Sequence, residues 1–140
     1  LATCNSYLTH ALHMMELTRK RNAKTISSEQ LSQLVVHGMQ EKKAVDIVVL
    51  DLRDVKNAVT DYFVICSGNS DTQVDAITNS IEEQVYKSLG EDPWHKEGKV
   101  NREWILLDYV DVVAHVFKKD RRSFYALEDL WGDAPATTFE

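Results

Sequence analysis

The chain of 140 residues contains only two cysteines, Cys4 and Cys66, and has no long apolar run. The two cysteines are far apart and form no Cys-x-x-Cys pair, so the sequence indicates neither a zinc site nor a disulfide framework. A membrane span needs about 20 apolar residues, and the N-terminus also lacks the order of charged and apolar residues typical of a secretory signal. We therefore expect a cytoplasmic protein in a reducing compartment, with no metal and no other cofactor.

The composition is that of an ordinary globular domain, with 44% apolar and 27% charged residues. At this length a single core buries roughly two-thirds of the unfolded surface, so one domain is expected. The net charge is −6, and because residues 1–24 hold four basic side chains against one acidic, residues 25–140 carry −9. Proteins bind nucleic acids mainly through Lys and Arg, so the acidic body disfavours RNA or DNA binding and favours a basic protein partner.

The chain divides into three segments. Residues 1–27 are predicted to be a flexible N-terminal extension, and residues 1–13, which follow no helical or strand period, are interpreted as upstream or non-native sequence. Residues 28–133 form the predicted domain. Residues 134–140 are expected to be a frayed C-terminal tail.

The spacing of apolar residues predicts a mixed β-sheet flanked by helices, that is, an α/β fold. In chain order the pattern indicates a helix at 28–42, buried strands at 47–50 and 62–66, a long helix ended by Gly90, a short strand near Trp94, an antiparallel pair of strands at 104–108 and 112–117, and a last helix from about Asp120. Cys66 lies within a buried strand and is expected to be an inert thiol.

Two segments carry a more specific pattern: residues 61–75, DYFVICSGNSDTQVD, and residues 103–131, EWILLDYVDVVAHVFKKDRRSFYALEDLW. The first joins an Asp-initiated strand to a Ser-Gly turn. The second combines a Trp strand, an Asp-x-x-Asp turn, a His-containing strand and an Arg-x-x-Tyr-x-Leu-Glu-x-Leu-Trp helix. Together they resemble the RsfS or Iojap family of ribosomal silencing factors over about residues 28–133. Val110 departs from the family pattern, because many members have glycine between the two turn aspartates.

The resemblance implies a fold like a reduced nucleotidyltransferase domain and binding to large-subunit ribosomal protein L-fourteen at the intersubunit face. A protein bound there would keep the small subunit from joining the 50S subunit and would lower translation when nutrients are scarce. Mitochondrial and chloroplast relatives resemble assembly factors of the large subunit, so an assembly role is the alternative.

The expected partner-binding residues lie on the antiparallel strand pair and its turn. Alternation along the first strand places every second residue on one sheet face, and a sheet with few helices can leave part of a face bare. Aromatic residues dominate interface hot spots, and aspartates complement a basic partner. The predicted set is Trp104, Leu106, Asp108, Asp111, His115 and Phe117.

Each of these residues also has a structural interpretation. Trp104 and Phe117 are equally suited to core packing, and a histidine in an apolar strand is more often a satisfied core residue than a ligand or a base. Asp108 and Asp111 are typical turn residues, because a short carboxylate accepts hydrogen bonds from nearby backbone. A turn role and a docking role are compatible.

Three other functions compete with partner binding. A nucleotidyltransferase-like enzyme is suggested by residues 67–70, a turn before a helix N-terminus that could cradle phosphate, but the carboxylate pair that holds Mg²⁺ does not follow it. We therefore predict no catalytic activity. An RNA-binding module would use the basic run at residues 19–24, and its affinity would fall steeply with salt. A homodimer would form if an uncovered apolar face paired with its own copy.

Overall fold

A computed structural model of the protein describes residues 26–140. Of the predicted N-terminal extension, 1–27, all but the last two residues therefore lie outside the described part of the chain. The described residues form these elements in chain order: α1 (Ser28–Glu41), β1 (Val45–Asp51), β2 (Tyr62–Gly68), α2 (Asp71–Leu89), β3 (His95–Glu97), β4 (Trp104–Asp108), β5 (Val112–Lys118), α3 (Lys119–Tyr125), α4 (Leu127–Leu130) and β6 (Ala136–Phe139).

The strands form one mixed sheet in the order β3-β4-β5-β2-β1-β6. The two central strands, β5 and β2, are parallel, with Tyr62 opposite Val112 and Gly68 opposite Lys118. The other neighbours are antiparallel, including the predicted strand pair β4 and β5. The predicted α/β fold with a mixed sheet flanked by helices is thus confirmed.

Helices α1 and α2 begin where the sequence places capping residues. Ser27 and Gln30 form a reciprocal capping box at the start of α1, and the Ser70 hydroxyl accepts a hydrogen bond from the Gln73 backbone N–H at the start of α2. At the other end of α2, Gly90 adopts a left-handed conformation with φ 68°, which glycine reaches without steric cost. The starts of both helices and the end of α2 are therefore fixed by local interactions that the sequence predicts.

The larger core cluster lies between these two helices and one face of the sheet. It includes Val35 and Met39 of α1, Ile77 and Ile81 of α2, and Val64 of β2, all essentially without solvent contact. Cys66 belongs to the same cluster, and burial raises the pKa of its thiol, so the expectation of an inert cysteine agrees with its position. This face of the sheet is covered by α1 and α2 and forms the main core of the domain.

The C-terminal part of the chain differs from the prediction in two ways. The predicted single helix is broken at Ala126, which has φ 46° and separates α3 from α4. The predicted tail contains β6, which pairs antiparallel with β1 and places Thr138 opposite Val48. The uncharged, β-branched segment can take this edge because the β1 backbone offers an unpaired ladder there, and the Asp51 N–H also donates to the Pro135 carbonyl at 2.9 Å.

Within residues 26–140, none of the helices combines the length and the apolar character needed to cross a bilayer.

Candidate functional site

The second face of the sheet carries an aromatic cluster that is covered only in part. Phe63 of β2, His115 and Phe117 of β5 are buried at its base. Trp104 of β4 and Tyr125 at the end of α3 lie over them and are partly exposed. Because strand residues alternate between faces, Trp104, His115 and Phe117 share this face although two different strands contribute them.

Trp104 is held by both neighbours beneath it. Its indole Nε1–H donates to Nδ1 of His115 at 3.0 Å. Its ring stacks on Phe117 at a centroid distance of 5.1 Å and an interplanar angle of 22°. In the β4–β5 pairing Trp104 lies opposite Phe117, and His115 is the diagonal neighbour, a spacing that long and aromatic side chains bridge.

The hydrogen bond defines the protonation of His115. An indole nitrogen can only donate, so Nδ1 is the unprotonated nitrogen and the proton of the neutral ring is on Nε2. His115 is only 1% exposed, and desolvation lowers the pKa of the imidazole to about 3. The ring is therefore uncharged at physiological pH, and its Nε2 finds no hydrogen-bond partner among the residues described.

Helix α3 completes the surface. The Tyr125 ring lies 4.9 Å from the Trp104 ring, and its hydroxyl is 3.4 Å from a carboxylate oxygen of Glu103. Phe124 meets Tyr125 edge to face at 5.3 Å and is 73% exposed. The aromatic cluster thus extends from a buried base to a ring that is largely exposed.

Asp108 and Asp111 shape the turn between β4 and β5. Asp108 is fully buried, and its Oδ1 accepts from the Val110 backbone N–H at 2.6 Å. The Thr60 hydroxyl donates to the Val110 carbonyl at 2.8 Å. Val110 itself has φ 75°, a region that β-branched residues rarely adopt. Glycine reaches this conformation without steric cost, so Val110 holds a strained backbone position in the turn.

The structure separates the six predicted binding residues into two groups. Trp104 and Asp111 are partly exposed, so a partner can reach them. The other four are buried in this conformation, in contrast to the bare sheet face that was expected: Leu106, Asp108, His115 and Phe117. Trp104, Tyr125 and the segment carrying Leu127 and Trp131 pack over Leu106 and Phe117, and the Trp104 indole lies against His115. Asp108 is buried in the turn itself.

Arg122 fixes that covering segment to the sheet. Its guanidinium donates to Glu128 at 2.7 Å, to the Ser67 hydroxyl at 3.0 Å and to the Asp46 carbonyl at 2.5 Å. Its side chain is only 11% exposed. Glu128 is the carboxylate that pairs with Arg122. The importance of Phe124 and Tyr125 for the surface was missed, although both stand in the family motif region.

The turn that could have cradled phosphate is already occupied by side chains of the protein. The Asn69 N–H donates to the Gln73 side-chain oxygen at 2.6 Å, and the Gln73 N–H donates to Ser70. Among residues 26–140 no group of three or more His, Cys, Asp or Glu residues is arranged to hold a metal ion. The described fold and site thus define a small mixed α/β domain whose prominent surface feature is an aromatic cluster.

Comparison with known proteins identifies the family. The family model described as "Ribosomal silencing factor during starvation" matches residues 25–140, and the chain belongs to this family. It is 41% identical over 115 residues to the ribosomal silencing factor RsfS of Halalkalibacterium halodurans, which covers 82% of this chain and 97% of that protein. The resemblance expected from residues 61–75 and 103–131 is confirmed.

Two further matches extend the comparison. A crystal structure of a Chromobacterium violaceum protein superposes with a TM-score of 0.71 at 32% identity, covering 76% of this chain and 88% of that chain. A mouse protein named "Mitochondrial assembly of ribosomal large subunit protein 1" is 34% identical over 101 residues, which are 70% of this chain and 43% of the mouse protein. The proteins to which this chain is similar thus carry names that refer to silencing and to assembly.

Proposed function

We propose that this protein binds large-subunit ribosomal protein L-fourteen at the intersubunit face of the 50S subunit and thereby blocks joining of the small subunit. The observation that carries the proposal is the partly exposed Trp104, seated on Phe117 and hydrogen-bonded to His115. An aromatic ring held on a rigid base loses little conformational entropy on binding, which is the property of an interface anchor.

In this proposal some of the six predicted residues contact the partner and the others hold those contact residues in place. Trp104 and Asp111 make contact with the partner, because they are the members of the set that it can reach. His115 and Phe117 support the Trp104 ring from below, and Leu106 packs in the same cluster. Asp108 fixes the turn that presents Asp111. The net charge of −9 over residues 25–140 favours encounter with a basic ribosomal protein.

Translation is lowered by steric exclusion in this account. A bound domain needs no chemistry to prevent two ribosomal subunits from meeting, and its effect depends only on how much of the large subunit it occupies. The extent of repression therefore follows the affinity for the large subunit, rising when the protein is abundant relative to free 50S subunits.

Subunit joining tests this proposal directly. Purified 30S and 50S subunits are mixed in the presence of increasing amounts of the full chain, and their association is followed by light scattering. The expected result is a dose-dependent loss of 70S formation that Trp104→Ala shifts to higher protein concentration and Trp94→Ala does not. Unchanged association at saturating protein would contradict a silencing role.

A role in large-subunit assembly is the second candidate, and the name of the mouse relative favours it. Assembly and silencing make different predictions for cells that lack the protein. Loss of an assembly factor leads to incomplete 50S precursors during rapid growth, whereas loss of a silencing factor leaves 50S subunits intact and raises 70S levels under starvation. Sucrose-gradient profiles under both conditions separate the two functions.

A homodimer is a further proposal for the free chain, since an exposed aromatic surface is able to pair with its own copy. Sedimentation velocity over a range of concentrations measures this. If Trp104 lies in a dimer interface, L-fourteen and the second copy compete for the same surface.

A further inference from the structure

We propose that His115 is the positioning residue of the docking surface: its imidazole holds the Trp104 indole in the orientation in which the indole meets the partner. This inference rests on the proposed function of Trp104. It assigns His115 a task other than partner contact, because a residue that is 1% exposed cannot touch a protein docked on this surface.

The geometry leaves the indole little freedom. The hydrogen bond to Nδ1 of His115 fixes one edge of the ring, and the stacking on Phe117 fixes its face. Tyr125 borders the ring at 4.9 Å. Stacking alone allows the indole to slide or turn over on an apolar base, whereas a hydrogen bond to a single acceptor specifies one orientation.

The acceptor itself is held rigidly. Phe63 meets the His115 ring at a centroid distance of 4.6 Å and an interplanar angle of 71°. Phe117 lies beside it on the same strand, with the two rings stacked at 6.4 Å. A flexible acceptor would transmit little orientation to Trp104, and here the acceptor is enclosed by aromatic rings.

Folding alone does not explain a histidine at this position. Burial of an imidazole whose Nε2–H has no partner among the described residues is unfavourable, and an apolar ring of similar size would fill the same space without that penalty. What an apolar ring lacks is the Nδ1 acceptor. Among residues 26–140 that acceptor serves Trp104, so the histidine provides the indole with a fixed partner that an apolar ring would not.

Three substitutions separate the acceptor from the shape of the ring. His115→Phe keeps an aromatic ring and removes the acceptor. His115→Asn loses the ring but retains an oxygen at the place of Nδ1, because both atoms are attached to the side-chain γ carbon. Trp104→Phe removes the donor and leaves His115 intact.

The first measurement needs no partner. The side-chain Nε1–H resonance of Trp104 is assigned in a ¹H–¹⁵N spectrum by its absence from Trp104→Phe. We expect it to be shifted downfield and to exchange slowly with water in the wild type. It should lose both properties in His115→Phe and retain them in part in His115→Asn. A wild-type resonance with the shift and exchange rate of an exposed indole would overturn the proposal whether or not L-fourteen binds.

The second measurement uses L-fourteen. Loss of one hydrogen bond predicts that His115→Phe weakens binding roughly threefold to tenfold while the free energy of unfolding at pH 7 stays equal or rises. His115→Asn should recover part of the affinity although it is the less stable of the two variants. A residue with a merely structural role would show the opposite order, with affinity following stability.

A double-mutant cycle completes the test. In the Trp104→Phe background there is no indole proton to accept, so His115→Phe should cause no further loss of affinity. An equal loss in both backgrounds would show that His115 acts independently of Trp104 and would overturn the proposal. If Trp104→Ala binds L-fourteen as the wild type does, Trp104 is not the anchor of the interface. The proposal that His115 positions Trp104 for docking is then contradicted as well.

Discussion

The Trp104 indole donates a hydrogen bond to a histidine that is buried and uncharged, with 3.0 Å between Trp104 Nε1 and His115 Nδ1. The pair joins the surface of the domain to its interior: Trp104 is partly exposed, and His115 is enclosed by Phe63 and Phe117. Changes at His115 are therefore expected to alter the position of the Trp104 indole.

Acid should destabilise the protein through His115. Its pKa is lowered from 6.5 to about 3 in the folded state, so between these values the unfolded chain binds a proton that the folded chain does not. The free energy of unfolding therefore falls as the pH falls below 6.5, by about 2 kcal/mol between pH 7 and pH 5. Urea unfolding at the two pH values measures this loss.

His115→Phe is the control for the acid effect, because it has no group that titrates in this range at the same site. In this variant the free energy of unfolding should differ much less between pH 7 and pH 5, because most of the change of about 2 kcal/mol is removed. An equal difference in wild type and variant would mean that other groups cause the acid sensitivity and that His115 is not desolvated as described.

Gly38 should be required for the contact between α1 and α2. A Cβ at this position would lie 2.8 Å from the Ile81 Cα, and the Ser80 hydroxyl also donates to the Gly38 carbonyl at 2.7 Å. Gly38→Ala is therefore expected to lower the free energy of unfolding by about 1–3 kcal/mol, although alanine favours a helix by about 1 kcal/mol.

Gln33→Ala in the same helix is the matched control, since Gln33 is exposed and the substitution only shortens its side chain. Its free energy of unfolding should stay within about 0.5 kcal/mol of the wild type. A stabilised Gly38→Ala variant would show that the two helices do not approach as closely as described.

Arg122 should hold the covering segment in place. Arg122→Met keeps the length of the side chain but removes the donors to Glu128, Ser67 and the Asp46 carbonyl. A loss of about 1–3 kcal/mol is expected, and Arg122→Lys should recover little of it, because lysine cannot reproduce the fork of donors.

Hydrogen exchange locates the effect of Arg122. Residues 119–130 should exchange faster in Arg122→Met, while α1 (Ser28–Glu41) on the opposite face should change little. Uniform acceleration across the whole chain would instead indicate that α3 and α4 unfold only together with the sheet.

Much of the fold can be predicted from the sequence because local interactions determine where its helices and strands begin and end. Capping residues at Ser27 and Ser70 mark the helix starts, Gly90 ends α2, and the apolar runs of β1, β2, β4 and β5 appear as predicted. These features depend on residues near one another in the chain, which is the range over which periodicity and capping are informative.

The C-terminal region could not be predicted in the same way because it depends on distant contacts. The break at Ala126 carries no glycine or proline, and it allows Leu127 to be buried against the sheet while Arg122 reaches Ser67. Strand β6 exists because β1 offers an edge to it. The same long-range packing covers Leu106 and Phe117, so strand alternation predicts that they share one face of the sheet but not that they are buried.

The most direct test of the proposed docking surface is calorimetric titration of large-subunit ribosomal protein L-fourteen with three forms of the full chain: wild type, Trp104→Ala and Trp94→Ala. Trp94 is the matched control, because it is 44% exposed and lies before β3, outside the aromatic cluster. We predict that Trp104→Ala weakens binding by at least about 2 kcal/mol, roughly thirtyfold, and that Trp94→Ala binds as the wild type does. Equal affinity for all three proteins, or no binding by the wild type, would contradict the account.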